Sequence, residues 1–226
     1  MTFLAIDLAR THDEALQVWA DDAAAMDGEA AGPAALERPG PEATTPGNGD
    51  PADRPLRALR ELIVAGHRAN FTIWHLEDQA RRRDVTDAYV AGIKRAIDPW
   101  NQRRNDLMER IDEAVIAALS GADLSRAELH SETAGMMIDR LSILALKIHN
   151  MRQAGASHAD PVIAEECRLK VAILQQQRDD LTQCLERLAE DFRAGRRYFK
   201  RYRQYKAYND PDLNPALRNE RGPRQN

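Results

Sequence analysis

The chain has 226 residues, 43% hydrophobic and 30% charged, and a formal net charge of −4. That length suffices for one medium domain with appended segments, and the absence of any run of about 18 apolar residues excludes a membrane-spanning helix. The two cysteines, Cys167 and Cys184, fall in one predicted helix roughly 25 Å apart along its axis. They cannot pair within that helix, which argues against a disulfide framework and for a soluble protein in a reducing cytoplasm.

Residues 1–20 hold a short amphipathic helix, with Leu4, Leu8, Ala15, Leu16 and Trp19 on its apolar side. There is no basic leader and Asp7 interrupts the apolar run, so no signal peptide is expected. Residues 21–55 change character. They carry eight acids against Arg38 and Arg54, and hold six of the eleven prolines and five of the twelve glycines. This composition predicts a disordered acidic linker. Its local charge of −6 leaves +2 for the rest of the chain, so the acidic balance says little about the partners of the core.

Residues 56–217 read as a helical core domain, with 218–226 a disordered tail. Leu56, Leu59, Ile63, Gly66, Asn70, Ile73, Trp74 and Glu77 recur at spacings of three and four, the mark of an amphipathic helix. Thr86 is placed to cap a second long helix, in which Pro99 marks a kink or a new start. Over 134–153 apolar residues surround most of the circumference, so the third long helix is expected to be the most buried. Asp160-Pro161 is a cap followed by a first-turn proline and opens the fourth. The tyrosines Tyr198, Tyr202 and Tyr205 predict a shorter basic helix over 194–207. The expected fold is therefore all-α: a bundle of four long helices with extra N- and C-terminal helices.

Polar residues interrupt these stripes. His67, Asn70, Glu77, Asp78 and Arg81 follow helical spacing on the first long helix, beside His75. Asn101 and Asn105 do so on the second, with Arg104 beside them. Asp139, Arg140 and Lys147 break the third, and Lys170, Gln177 and Arg178 the fourth. A buried charge costs several kcal/mol unless paired, so these groups either form a register-setting ion-pair network or line a wet cleft. In the second case Arg104, Arg140, Lys147 and Arg178 would hold phosphate or carboxylate. His75, Asn101, Asn105 and Gln177 would add hydrogen bonds, and Glu77, Asp78 or Asp139 would serve as acid or base.

A metal site is not expected, because no His has Glu three residues before it and no His-Glu-x-x-His occurs. His75 and Glu77 diverge on a helix, and His130 with Glu132 offers only a second His/Glu pair. Asp106, Glu109 and Asp112 share a face that suits magnesium, but reads more simply as solvated, with Arg103 and Arg110 as partners. No sequence feature names a cofactor. Basic and aromatic residues interleave over 195–208, a pattern suited to nucleic acid. The helical spacing of the tyrosines and the modest core charge argue against that partner.

Five segments in order carry a resemblance: Asn70–Asp78, Asn101–Asp106, Ser131–Thr133 with Ile138–Ile143, Gln177–Leu181 and Tyr208–Pro211. Over about residues 55–217 the chain resembles the bacterial helical family of domain of unknown function 4254 (DUF4254). That resemblance implies an all-α fold and no established reaction. It also implies an association with cell-envelope glycan gene clusters. Two readings follow. One is a protein that binds, and can transform, an anionic small molecule such as a sugar nucleotide in a polar inter-helix cleft. The other is a non-catalytic helical adaptor for a glycan-assembly enzyme, which allows a homodimer.

Overall fold

The computed structural model describes residues 7–19, 53–203 and 212–215. These residues form five α-helices and one pair of two-residue strands. The fold is all-α, as the periodicity requires. The expected linker lies outside the described residues except for 53–55, as do the tail and the segment Tyr208–Pro211.

Four of the five helices begin where a short polar side chain takes up an orphan amide, and the other has a proline in its first turn instead. α1, Leu8–Val18, starts under Asp7, whose carboxylate accepts from the Arg10 amide at 2.9 Å. α2, Arg54–Ala80, has Pro55 in its first turn. α3, Asp87–Ala118, is capped by Thr86, which accepts from the Tyr89 amide at 3.2 Å, and it runs unbroken through Pro99. α4, Ala134–Ser157, is capped by Thr133. α5, Pro161–Arg193, opens on Asp160 accepting from Val162 at 2.9 Å.

The C-terminal helix expected over 194–207 does not form across the described residues. Gly195 adopts φ +66°, and a Cβ there would lie 2.4 Å from the Asp123 carbonyl, so only glycine fits. That turn ends α5 and sends the chain into β2, Arg197–Tyr198. β2 pairs in parallel with β1, Glu128–Leu129, through Glu128 N–H donating to Arg196 C=O at 2.9 Å and His130 N–H to Tyr198 C=O at 2.7 Å. Phe199 is buried against Phe192, whereas Tyr202 is exposed.

Packing gives α4 the central place. α2 and α3 form one antiparallel pair, α4 and α5 another, and α4 touches all four other helices. The apolar core has two parts. One gathers Leu59, Ile63, Ile111, Ile138, Leu141 and the second half of α5. The other gathers Leu16 and Trp19 of α1 with Phe71, Leu76, Ile93, Ile97 and Leu146. A polar layer lies between them along the chain. On α2 it falls after Ile63 and before Phe71, and on α4 after Ile138 and before Ala145.

Candidate functional site: a closed polar layer and an open cleft

The polar layer is built from α2, α3 and α4. Arg104 of α3 grips Asp139 of α4 with both ends of its guanidinium, Nε lying 2.8 Å from Oδ1 and Nη2 on Oδ2. The hydrogen bond to Asp139 raises the Arg104 pKa further, against the opposing effect of burial. Asn70 of α2 donates through Nδ2 to Asp139 Oδ1 at 2.8 Å and to Ser142 Oγ at 3.0 Å. Ser142 Oγ lies 2.7 Å from His67 Nδ1. The other ring nitrogen of His67, Nε2, is buried without a hydrogen-bond partner among the described residues. The cavity among Ile63, His67, Arg104, Asp139 and Ser142 is only about 10 Å³. That is room for about one water and no ligand.

α1 closes this layer from outside. The His12 and His67 rings lie 4.5 Å apart between centroids, and Trp19 stacks at 5.3 Å on both His67 and Phe71. The Arg68 guanidinium sits 5.0 Å from the Trp19 ring. Asp13 accepts from Arg178 Nη1 of α5 at 3.0 and 3.2 Å. His12 is 1% exposed, and neither of its ring nitrogens has a hydrogen-bond partner among the described residues. A buried unsatisfied group of this kind costs about 1–3 kcal/mol. Burial first, and Arg178 second, pushes the His12 pKa down to about 4. Burial and the adjacent His12 hold His67 well below the usual histidine range, and burial lowers His149 on α4. The imidazoles are therefore neutral near pH 7.

A different arrangement exists on the other side of α4. There residues of α4 and α5, with His130 and Glu132, line an open cleft of about 650 Å³. Met137, Ile143, Leu144 and Leu181 form its apolar wall. His130, Glu132, Arg140, Lys147, Gln177, Asp180 and Cys184 supply the polar lining. Ligand cavities commonly measure about 300–1,000 Å³ and combine an apolar wall with a few polar groups. Both acids are engaged: Glu132 accepts from Arg140 Nη1 at 2.7 and 3.0 Å, and Asp180 from Gln176 at 2.8 Å. Lys147 forms no ion pair among the described residues, and Arg140 keeps its other N–H donors. An apolar groove of about 530 Å³ continues from Lys147 past Trp74, Met151, Ile173 and Leu174.

The residues singled out by helical spacing thus separate into groups. Arg104 and Asp139 meet in the closed layer. His75 is buried beside it, its ring 4.5 Å from Phe71. Arg178 is held by α1. Arg140, Lys147 and Gln177 line the cleft together. Glu77 pairs with Lys94 at 2.8 Å, and exposed Asp78 with Arg81 at 2.9 Å. Neither of these acids lines the cleft, nor does Asp139. Asn101 and Asn105 are half-buried on α3. Asp112 is not part of a solvated acidic face. It is buried and accepts from the Gly135 amide at 2.6 Å, and burial pushes its pKa up to about 6. Among the described residues no group of three or more His, Cys, Asp or Glu is placed to hold a metal ion.

Spacing passed over His12 and Ser142 because each is a single polar residue within an apolar stripe. His12 stands four residues from both Leu8 and Leu16, and that lone position was the available signal. Asp180 and Cys184 join the cleft only because α5 leaves that side uncovered, which no periodicity reveals.

The family model of DUF4254, a protein of unknown function, matches residues 60–201. The chain belongs to the DUF4254 family. Both the layer formed by Asn70, Arg104 and Asp139 and the cleft lie inside the DUF4254 span, and α1 lies outside it. No curated protein and no solved structure matches the chain. No helix among the described residues is long and apolar enough to cross a membrane.

Proposed function

We propose that this DUF4254 protein binds an anionic small molecule, of the sugar-nucleotide class, in the cleft between α4 and α5. One observation carries the reading: the cleft has ligand dimensions and an apolar wall, and it places Lys147 and Arg140 at its edge with donor capacity to spare. A phosphate would take the Lys147 ammonium and the remaining Arg140 donors. Gln177 and His130 are the groups for sugar hydroxyls, and Met137, Leu144 and Leu181 supply an apolar floor. If the bound molecule is also transformed, His130, Glu132, Asp180 and Cys184 are the acid, base or nucleophile candidates that line the cleft. A bacterial, cytoplasmic setting in cell-envelope glycan biosynthesis fits this ligand class and the association of the family.

Calorimetric titration with UDP-glucose and GDP-mannose tests the reading. Saturable binding is expected, weakened at least tenfold by Lys147→Ala and further by adding Arg140→Ala. No binding at millimolar nucleotide sugar, or binding indifferent to both substitutions, would remove it.

The alternative, a non-catalytic helical adaptor, is favoured by a separate observation. The first half of α5 exposes Val162, Leu169 and Ile173 beside the apolar groove at Trp74. A contiguous exposed apolar surface of this kind suits a protein partner.

A further inference from the structure

The cleft and the apolar groove are two stretches of one trough along α4 and α5. On α4 the lining residues step by three or four: Arg140, Leu144 and Lys147 in the cleft, then Lys147, Met151 and Ala154 in the groove. Residues at that spacing share one face of a helix. On α5 the same steps join Cys184, Leu181 and Gln177 of the cleft to Leu174 and Lys170 of the groove. Lys147 lines both stretches and therefore stands at their junction. From Lys147 to Ala154 the groove extends about 10 Å along α4.

The two stretches differ in chemistry. The cleft offers hydrogen-bonding groups, among them His130, Arg140 and Gln177. The groove is walled by Trp74, Met151, Ala154, Ile173 and Leu174. Its one side-chain amide, Asn150, already donates through Nδ2 to the Leu146 carbonyl at 2.9 Å. A polar group seated there would give up water for little in return, so the part of a ligand that fits is hydrocarbon. Ile173 is 58% exposed, an apolar side chain left on an open concavity. Charge then fixes the polarity of the occupant. No acid lines the groove, and its charged residues are Lys147 and Lys170. Lys170 faces Glu166 of its own helix at 3.5 Å, whereas Lys147 forms no ion pair among the described residues. The uncompensated positive charge thus sits at the junction, with Arg140 about two turns away on the cleft side.

We propose that the groove is the subsite for the hydrocarbon chain of a lipid phosphate, whose phosphate takes Lys147 and whose chain lies against Trp74, Met151 and Ile173. The inference rests on the reading of Lys147 and Arg140 as a phosphate position and adds what the phosphate carries. A concavity of about 530 Å³ has the size of a small-molecule site. A nucleotide sugar and a lipid phosphate share the position at Lys147 and so compete.

Titration of the full-length chain with methyl, octyl and decyl phosphate, each below its micelle concentration, tests it. Affinity is expected to rise at least tenfold from methyl to octyl phosphate. From octyl to decyl it should rise about tenfold again, the worth of two buried methylenes. Decyltrimethylammonium, with the same chain and the opposite charge, should bind at least tenfold more weakly than decyl phosphate. Ile173→Glu should weaken decyl phosphate at least tenfold and leave UDP-glucose affinity unchanged, because Ile173 does not line the cleft. A decyl phosphate brominated at the chain end should quench tryptophan fluorescence, and Trp74→Phe should abolish the quenching, since Trp19 and Trp100 do not line the groove. The quenching is read first on the native chain and needs no charged variant to fold. Affinity independent of chain length, equal binding of the decyl cation, or quenching that persists in Trp74→Phe overturns the proposal. So does a native dimer that excludes decyl phosphate and that Ile173→Glu dissociates, which would make a second copy the occupant. The two readings fail separately. UDP-glucose without affinity, beside alkyl phosphates that bind by chain length, removes the nucleotide sugar and leaves the groove assignment standing. UDP-glucose that binds, beside alkyl phosphates no tighter than methyl phosphate, does the reverse.

Discussion

The closed layer under α1 and the open cleft beyond α4 use the same residue types to opposite ends. In the layer, Arg104, Asp139, Asn70, Ser142 and His67 bond to one another in one chain, and the space among them admits about one water. In the cleft, Lys147 has no ionic partner among the described residues and faces about 650 Å³ of open space. A charged residue at a packed helical position therefore has two meanings. Where its bonding capacity is used up internally, it sets helix register. Where capacity is left over beside an apolar wall, it is available to a ligand.

The largest effect expected to break or sharpen this contrast is at Asp139. Asp139→Ala leaves the Arg104 guanidinium without its carboxylate, and removing one partner of a buried pair costs about 3–5 kcal/mol. Urea unfolding should show that loss while nucleotide-sugar affinity of the folded fraction stays unchanged. A fully stable Asp139→Ala protein that has lost binding would mean that the layer, and not the cleft, is the ligand site.

Next in size is the pH dependence of the closed region. His12 has a docked pKa of about 4 against an ordinary 6.5, so the neutral ring is the docked form. The docking stability is present above pH 6.5 and is lost as pH falls through 4, with His67 acting in the same direction. A shift of that size corresponds to about 3–4 kcal/mol. Hydrogen exchange of residues 8–18, corrected for intrinsic rates, should rise steeply below about pH 6, and His12→Leu should reduce the rise to the part that His67 supplies. A cleft-binding affinity that followed the same titration would tie the two regions together.

The smallest effect is expected in the cleft. Glu132→Gln frees Arg140 from its carboxylate at 2.7 Å. This half-exposed pair is worth less than about 1 kcal/mol to stability. The melting temperature should hardly move, while anion affinity rises a few-fold. A weakened affinity would show that Glu132 contacts the ligand directly.

Much of the fold was legible because it rests on local rules. Asp7, Thr86, Thr133 and Asp160 each supply a cap within three residues, and the apolar recurrence every three or four residues is a property of one helix at a time. The course of the chain after α5 was less legible. Tyr198 and Tyr202 have helical spacing, but Gly195 fits only because the Asp123 carbonyl, 72 residues earlier, occupies the place of a Cβ. Nothing near position 195 announces that approach.

The sequence by itself determined that this chain is helical and where its long helices start, and it marked Asn70, Arg104, Asp139, Arg140, Lys147 and Gln177 as polar residues at positions that call for an explanation. It also placed the chain beside the DUF4254 family. Only the tertiary structure decided which of those residues are spent on one another and which face open space. Spacing along a helix says which side chains share a face, but the partner of each face is chosen by the packing of all five helices together. Arg104 is satisfied because α3 delivers it to Asp139 on α4, whereas Lys147 lines the cleft and no acid among the described residues pairs with it.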